Sequence, residues 1–284
     1  MRSWAVPCPP VDRSAIGPFK CKARAAAAFG TVMGKTGLLE GKVALVTGGT
    51  QGLGRAIAEG FAAAGSRGLL LDLPSASGPA PANWSLRAAE VSHEDDVARV
   101  VTQARDEFGR LDVVVANAGV VPPWHDTEQV DLAEWDRVFA VNARGVMATI
   151  KHAVPLMTAR GGSIIALGSS NSWTGHAKQA AYTASKHAVL GIVRATARDL
   201  GRSGIRVNAL CPGPVATEAL LARIRRRVDE GGATVEDTLA RYGDTALGRM
   251  ATIADVVGAA LFLASDLSSG ITGQLIAVDA GLAC

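Results

Sequence analysis

The sequence predicts an α/β fold built on a single, doubly wound parallel sheet with helices on both faces. Short apolar runs rich in Val, Ile and Leu alternate along the chain with longer segments whose apolar residues recur at helical spacing. The runs are apolar without interruption, as expected for parallel strands that helices cover on both sides. Hydrophobic residues form 48% of the 284 residues and charged residues 19%, which excludes a chain that is disordered throughout.

The first elements follow Lys42. Residues 43–47 are apolar and largely β-branched, which predicts a buried strand. Residues 55–64 have apolar positions at helical spacing, and Gly65 is expected to end that helix. Residues 68–72 form a second apolar run and predict a second strand. Residues 74–83 are rich in Pro, Ser and Gly and therefore predict a loop.

The middle of the chain continues the alternation. Ser92 is placed as the N-cap of a helix that runs to about Phe108, because three acidic residues follow it where the helix dipole favours negative charge. Residues 111–116 predict a strand, residues 131–158 a long helix and residues 163–167 another strand. Right-handed crossovers would join these strands in one sheet.

The last third predicts a helix over 179–201, a strand over 205–210, a helix over 253–265 and a final strand over 274–278. Residues 215–245 are highly charged, and we expect them to form a mobile segment. No internal repeat is present, so one domain accounts for these elements. We place this domain at residues 37–284.

The leading segment, residues 1–36, has no amphipathic period. Residues 1–32 carry five basic residues and one acid, so 24 basic and 25 acidic residues remain for the rest of the chain. Three interpretations stay open: translation that starts at Met33, an organellar targeting peptide, or a secretory signal. We expect this segment to be disordered and dispensable.

Composition also limits the partners. The body of the chain is close to neutral and offers no basic face for nucleic acid. No apolar run approaches the roughly 18 residues that a membrane helix needs. Four cysteines without framework or metal-ligand spacing favour a reducing compartment, here the cytoplasm, and predict no metal site.

A glycine-rich turn joins the first strand to the first helix. It reads Thr-Gly-Gly-Thr-Gln-Gly-Leu-Gly over residues 47–54. Gly48 and Gly52 would let the backbone approach a pyrophosphate at the helix N-terminus, and Gly54 would let the helix pack close to the strand. Because the motif lies between a strand and a helix, it indicates a Rossmann-type dinucleotide site.

Asp72 ends the second predicted strand, 18 residues after Gly54. A carboxylate at this place accepts a hydrogen bond from a ribose 2′-hydroxyl and repels a 2′-phosphate. Neither Gln51 nor Leu73, the positions where a compensating cation would stand, is basic. The sequence therefore favours NAD over NADP, although Asp72 as a simple loop cap is the alternative.

Three polar residues indicate acid–base chemistry. Tyr182 and Lys186 are four residues apart in a predicted helix and so share one face. A nearby ammonium would lower the pKa of the phenol from its usual value of about 10, which suits a general acid or base on an alcohol/carbonyl pair. Ser169, at the end of a predicted strand, could bind the same oxygen. Ser170 is the alternative serine.

These motifs together resemble the short-chain dehydrogenase/reductase family over nearly all of residues 38–284. The motifs in order are the 47–54 turn, Ala116-Asn-Ala-Gly119, Asn142, Ser169, Tyr182-x3-Lys186, Cys211-Pro-Gly213 and Ile271-Thr-Gly-Gln-x3-Val-Asp279. Two departures stand out. Ala116 replaces the first Asn of the family's Asn-Asn-Ala-Gly, and Glu90 replaces an Asp near the adenine.

The resemblance implies roles for the catalytic set. Tyr182 would be the acid/base, Ser169 would orient the substrate oxygen, and Lys186 would bind the nicotinamide ribose. Asn142 would kink its helix and hold a water in a proton relay. The implied cofactor-binding residues are Gly48, Thr50, Gln51, Gly52, Leu53, Gly54, Asp72, Leu73, Glu90, Val91, Asn117, Ala118, Gly119, Tyr182, Lys186, Pro212, Gly213, Val215 and Thr217.

The family pattern also places the substrate pocket. Its expected lining is Val120, Val121, Pro123, Trp124, His125, Asn171, Trp173, His176, Leu220 and Leu221. The arginines of residues 223–227 could meet a phosphate or carboxylate, but we expect a solvated helix face. The family's pairing through the helices at 131–158 and 179–201 implies a homotetramer.

The sequence thus predicts an oxidoreductase that transfers a hydride between NAD and a small secondary alcohol or ketone. One alternative is an NADPH-dependent reductase of 3-oxoacyl thioesters on a carrier protein. Another is a nucleotide sensor without catalytic activity.

Overall fold

Seven parallel strands form the sheet in the computed structural model, which describes residues 37–283. The strands are β1 (Val43–Thr47), β2 (Arg67–Asp72), β3 (Trp84–Ala88), β4 (Val113–Ala116), β5 (Gly162–Leu167), β6 (Ile205–Pro212) and β7 (Leu275–Val278). Their order across the sheet is β3-β2-β1-β4-β5-β6-β7. This confirms the predicted doubly wound α/β fold. The leading segment 1–36, expected to be disordered, lies outside the described residues.

The sheet order reverses between the neighbouring strands β1 and β4. Leu45 of β1 pairs with Leu69 of β2 on one side and with Val114 of β4 on the other. The chain therefore runs outward from β1 to one edge of the sheet and returns to continue toward the other. In such sheets the crevice for a ligand opens at the carboxyl ends of the strands at this reversal.

Eight α-helices are present in the described residues. They are α1 (Gly52–Ala63), α2 (Glu94–Phe108), α3 (Leu132–Phe139), α4 (Gly145–Ala153), α5 (Ala180–Leu200), α6 (Glu218–Asp229), α7 (Val235–Gly243) and α8 (Ile253–Ala264). No helix between residues 37 and 283 combines the length and the apolar character that crossing a membrane requires.

Two apolar cores cover the faces of the sheet. On one face, α2, α4 and α5 bury residues such as Val100, Ile150 and Val193 against the strands. On the other, Phe61 of α1 and Leu261 of α8 are buried in a second cluster. A core on each side keeps the sheet rigid, so the strand ends are fixed points from which loops can position a site.

Strand β3 was not predicted. Its sequence, Trp-Ser-Leu-Arg-Ala, lacks a β-branched apolar run, and only Trp84 is buried. β3 lies at the edge of the sheet, where one side of the strand faces no partner strand. An edge strand of mixed polarity does not give the continuous apolar signal that identified the inner strands.

The predicted long helix over 131–158 is interrupted. The α3 and α4 helices are separated by a π-helical turn at Ala140–Arg144, and a 3₁₀ turn follows at Val154–Leu156. Asn142, the residue expected to kink this helix, lies in the π-helical turn. A π-bulge inside an α-helix is frequently found at a functional site.

Two further predictions were wrong. The N-cap of α2 is His93 and not Ser92, whose hydroxyl instead donates to Glu90 Oε1 at 2.6 Å. The segment over 215–245, expected to be mobile, contains α6 and α7, which are capped by the side chains of Thr217 and Thr234. Such caps fix the start of each helix.

Candidate active site

The predicted site residues follow the carboxyl ends of six neighbouring strands. Glu90 follows β3, Asp72 ends β2 and the glycine turn follows β1. On the other side of the reversal, Asn117–Gly119 follow β4, Ser169 follows β5, and Pro212–Thr217 end β6 and continue beyond it. Because the strands are parallel, all these residues lie along one edge of the sheet.

The glycine turn is closely packed where helix meets strand. A Cβ on Gly54 would collide with the Gly48 carbonyl and with Asn117 Nδ2. Gly52 has φ +55°, a left-handed conformation that favours glycine, and no atom lies within 4 Å of the position its Cβ would take. Gln51, the N-cap of α1, makes no side-chain hydrogen bond to the helix. The first amides of α1 therefore remain available to a phosphate, as the dinucleotide prediction requires.

Asp72 is tied to the glycine turn. Its Oδ2 accepts hydrogen bonds from the Thr50 amide at 2.9 Å and the Thr50 hydroxyl at 2.6 Å. Its Oδ1 accepts from the Leu73 amide at 2.9 Å. The carboxylate is thus held in one orientation at the end of β2, where the ribose of a dinucleotide would lie. Leu73 is 47% exposed and Gln51 is exposed.

Glu90 and Val91 differ in their surroundings. The Glu90 side chain is partly exposed and accepts the Ser92 hydroxyl. Val91 is buried and lies against Gly145 at the start of α4, where a Cβ would come within 2.9 Å of Val91 Cγ2. Val91 therefore helps to position α4.

Asn117 and Ala118 fasten β4 to the turn. The Asn117 side chain donates to the carbonyls of Thr47 and Gly48 at 2.8 and 3.0 Å. The amides of Asn117 and Ala118 both donate to the Thr47 hydroxyl at 3.0 Å. This segment connects the two strands at the reversal, although Ala116 itself contributes no side-chain hydrogen bond.

Asn142 is fully buried and fixes the segment after Gly119. Its Oδ1 accepts the Val120 amide at 2.8 Å, while its Nδ2 donates to the Val120 carbonyl at 2.9 Å and to Ser185 Oγ at 3.1 Å. A Cβ on Gly119 would lie 3.2 Å from Asn142 Oδ1 and 3.6 Å from Lys186 Nζ. Gly119 thus lies between the polar groups of Asn142 and Lys186.

Ser169, Tyr182 and Lys186 line one cavity of about 350 Å³. Lys186 Nζ donates to the Leu167 carbonyl at 2.7 Å and lies 5.8 Å from the centre of the Tyr182 ring. The Ser169 hydroxyl accepts the Asn171 amide at 3.2 Å, which begins a 3₁₀ turn at Ser170–Ser172. Ser170 also lines the cavity but is buried, and its carbonyl accepts the Thr174 hydroxyl.

Burial dominates the ionisation of the tyrosine and the lysine. It raises the pKa of Tyr182, and hydrogen bonding with Ser169 and the charge of Arg223 only partly oppose that rise. Burial also lowers the pKa of Lys186 to about 8. We expected Lys186 to lower the pKa of Tyr182. In the protein without cofactor this is wrong, because the rise in pKa that desolvation of the phenol causes is larger than the effect of any nearby positive charge.

The segment after β6 completes the cavity. Pro212, Gly213, Val215 and Thr217 all line it, as does Leu53 from the glycine turn. A Cβ on Gly213 would come within 2.8 Å of Asp279 Cβ, so glycine permits the close contact between the ends of β6 and β7. Of the other predicted cofactor residues, Asn117 and Gly119 reach the same cavity. The remainder lie further along the sheet edge.

The predicted substrate pocket is partly right. Val121, Trp124, Asn171, His176 and Leu220 line the cavity, but Val120, Pro123, His125, Trp173 and Leu221 do not. Trp173 packs against the apolar core instead. Sequence reasoning missed Pro122, Gln179, Tyr242 and Leu282, and no motif marks them.

The basic run of α6 is not uniformly a solvated face. Arg223, Arg226 and Arg227 line the cavity, whereas Arg225 is exposed and pairs with Glu218 at 3.0 Å. Cys211 is a buried free cysteine, and burial raises its pKa to about 11, so it is an inert apolar side chain at neutral pH. Between residues 37 and 283, no group of His, Cys, Asp or Glu residues could hold a metal ion.

Comparison with known proteins gives consistent matches. A family model described as enoyl-(acyl carrier protein) reductase matches residues 48–283. The chain is 39% identical over 254 residues to (+)-borneol dehydrogenase 2 of Salvia officinalis, covering 86% of this chain and 89% of the relative. It is 38% identical over 251 residues to short-chain dehydrogenase reductase 3a of Arabidopsis thaliana, covering 86% and 95%.

A solved structure of a related protein has a similar fold. Carveol dehydrogenase from Mycobacterium avium, in complex with NAD, superposes with a TM-score of 0.79 at 29% identity, covering 87% of this chain and 99% of that one.

Proposed function

The chain belongs to the short-chain dehydrogenase/reductase family, and on that premise we propose that it is an NAD-dependent dehydrogenase that interconverts a secondary alcohol and a ketone. The observation that carries the proposal is the single cavity that Ser169, Tyr182 and Lys186 share with Leu53 of the glycine turn and Gly213 after β6. A substrate oxygen near Tyr182 would then lie beside the reactive end of a dinucleotide bound along the sheet edge.

The cofactor, when bound, accepts or supplies a hydride at its nicotinamide ring. Tyr182 exchanges a proton with the substrate oxygen. Because burial raises its pKa, the phenol is protonated at neutral pH in the protein alone, the form that donates a proton to a ketone oxygen. Ser169, within hydrogen-bonding reach of Tyr182, holds the same oxygen in place.

Lys186 and Asn142 support the tyrosine. The hydrogen bond to the Leu167 carbonyl leaves two Nζ protons of Lys186 free to bind a ribose hydroxyl. Its pKa of about 8 keeps the ammonium mostly charged at neutral pH. Asn142 fixes the segment at Val120, and a Cβ on Gly119 would lie 3.2 Å from Asn142 Oδ1 and 3.6 Å from Lys186 Nζ. The side chains of Asn142 and Lys186 thus flank Gly119, which supports the proposal that Asn142 holds a water in a proton relay to Lys186.

The choice of NAD is supported by Asp72. Its carboxylate has a fixed orientation at the ribose position, and a negative charge there repels a 2′-phosphate. The related carveol dehydrogenase structure contains NAD. The relatives named as borneol and carveol dehydrogenases act on secondary alcohols, which supports the same substrate class here.

The rival functions require different features. An NADPH-dependent reductase of 3-oxoacyl thioesters would have to accommodate a 2′-phosphate beside Asp72. A nucleotide sensor has no need of three polar side chains in one cavity. We therefore rank both below the dehydrogenase.

The test is a screen of secondary alcohols and ketones with each cofactor, followed by absorbance of the reduced nicotinamide. We expect turnover with NAD at least about tenfold more efficient than with NADP. Tight NAD binding without turnover of any compound would favour the sensor, and a strong preference for NADPH would favour the thioester reductase.

We further propose a homotetramer that pairs through the surface of α3, α4 and α5. Leu132 of α3 and Met147 of α4 are exposed apolar side chains that such an interface would bury. Light scattering that gives the mass of a monomer would contradict this.

A further inference from the structure

Three arginines of α6 face the candidate active-site cavity. Arg223, Arg226 and Arg227 have the spacing that places side chains on one face of a helix, and all three line the cavity with Tyr182. Arg225 lies on another face, where it is exposed and pairs with Glu218. The helix thus separates its charges into a face turned to the cavity and a face turned to solvent.

The charge of this cavity-facing group is incompletely compensated. Arg226 lies 4.0 Å from Glu230, a loose and exposed pair. The Arg227 guanidinium stacks 4.2 Å from the centre of the Trp124 ring. Among the cavity-lining residues of the described chain, Glu230 is the one acidic residue, while three arginines and Lys186 are basic.

Arg223 is partly buried, and the ionisable groups that influence its charge are Tyr182, Tyr242, Arg226 and Arg227. No carboxylate pairs with it within residues 37–283. Its charge also acts on Tyr182, where it partly opposes the rise in the pKa of the phenol that burial causes. An unpaired guanidinium beside two others and partly removed from water is unfavourable, and a bound anion relieves that cost.

We propose that the substrate of this site is a secondary alcohol or ketone that carries a carboxylate, and that Arg223 binds this carboxylate. The inference rests on the proposed dehydrogenase function and names its substrate class. A guanidinium binds a carboxylate through two parallel hydrogen bonds, and it is the only side chain with that geometry. Glu230 at the cavity wall disfavours a phosphate dianion more than a carboxylate. Val121, Pro122 and Leu282 supply an apolar wall for the rest of a small substrate.

The test compares compounds that differ only in the anion. Secondary alcohols with a carboxylate are assayed beside their methyl esters, with wild type, Arg223→Gln and Arg225→Gln. The Arg225→Gln variant is the matched control because it removes the same charge from the outer face of the same helix. We expect wild type to prefer the acid, Arg223→Gln to lose about 10- to 100-fold in kcat/KM for the acid alone, and Arg225→Gln to keep the preference. Arg223→Lys should recover part of it.

A second experiment measures ligand binding and does not depend on turnover. Calorimetry measures cyclohexanecarboxylate and cyclohexanecarboxamide binding to the protein saturated with NAD. Tighter binding of the carboxylate, lost in Arg223→Gln but kept in Arg225→Gln, supports the inference. Equal binding of both compounds, or equal losses in both variants, would overturn it and leave the dehydrogenase proposal intact. A loss of NAD affinity in Arg223→Gln would overturn it by assigning the guanidinium to the cofactor. Turnover of acyl-carrier thioesters but of no small carboxylate would overturn both.

Discussion

Asp72 and Thr50 are joined by two hydrogen bonds to one carboxylate oxygen, from the Thr50 amide at 2.9 Å and its hydroxyl at 2.6 Å. This contact links the end of β2 to the glycine turn after β1. It makes the proposed ribose-binding carboxylate and the proposed phosphate-binding turn one rigid unit. The proposed preference for NAD therefore depends on a carboxylate whose position the fold determines.

The first prediction concerns that preference. Asp72→Asn keeps the shape of the side chain but removes its charge, so the repulsion of a 2′-phosphate disappears. We expect the ratio of NADPH to NADH dissociation constants to fall by about tenfold or more, as measured by nicotinamide fluorescence. Thr50→Val, which removes one donor but keeps the charge, should retain the preference for NADH. An unchanged ratio in Asp72→Asn would mean that the carboxylate only caps its loop.

The second prediction concerns the glycine turn. Gly54→Ala places a methyl group against the Gly48 carbonyl and Asn117 Nδ2. Overpacking of this kind costs about 1–3 kcal/mol, and the displaced turn should weaken NAD binding. Gly258→Ala in α8 is the control, because no atom lies within 4 Å of the added Cβ. Thermal unfolding and NAD titration of both variants check the prediction, and equal behaviour of the two would refute it.

The third prediction distinguishes two serines. Ser169 is within hydrogen-bonding reach of Tyr182, whereas the Ser170 side chain has no hydrogen bond to it. Ser169→Ala should lower kcat by about 10²–10³, the usual cost of losing a donor to a developing oxyanion. Ser170→Ala should change kcat by less than about tenfold. The reverse order would assign the substrate contact to Ser170.

The fourth prediction uses the pKa of Lys186. Its value of about 8 lies below the usual 10.5, so between these values the unfolded chain binds more protons than the folded protein. The free energy of unfolding therefore gains a contribution that increases as pH rises through this range, about 2 kcal/mol by pH 10. The raised pKa values of Cys211 and Tyr182 act in the opposite sense, that of Cys211 from about pH 9 upward, so the contribution of Lys186 is the difference between the profiles of wild type and Lys186→Met.

Urea unfolding of the cofactor-free protein between about pH 7 and 10 measures this contribution. Lys186→Met should lose it, while Lys178→Met, at an exposed ion pair, should keep it. Parallel pH profiles for wild type and Lys186→Met would show that the ammonium is not desolvated.

The inner strands could be predicted from sequence because burial on both faces leaves an apolar run, as in β1. β3 lies at the edge of the sheet. Because Ser85 and Arg87 are polar, β3 lacks the apolar run by which the inner strands were predicted. A kink at Asn142 was expected only through the family resemblance, since helical periodicity alone continues through the π-helical turn. In α6, only Leu220 and Ile224 are buried, so the apolar signal is weak.

In the candidate site, too, some features could be predicted from local sequence and others depend on the whole fold. Motif spacing predicted that Ser169, Tyr182 and Lys186 meet, and they line one cavity because Ser169 closely follows β5 while Tyr182 and Lys186 share α5. The ionisation of Tyr182 and the position of Arg223 depend on how α6 covers the cavity, which local sequence does not encode. Desolvation arises from the whole surrounding structure, so a pair of motif residues could not reveal that burial would dominate.

The central claim is that Tyr182 exchanges the proton with the substrate oxygen. The chain contains two tyrosines, and both line the cavity, so Tyr242→Phe is a matched control for Tyr182→Phe. The decisive measurement is the steady-state rate of NAD reduction with a secondary alcohol that wild type oxidises, together with the NAD dissociation constant. The account predicts a loss of at least about 100-fold in kcat for Tyr182→Phe, with NAD affinity unchanged and Tyr242→Phe within about tenfold of wild type. Full turnover by Tyr182→Phe would contradict it.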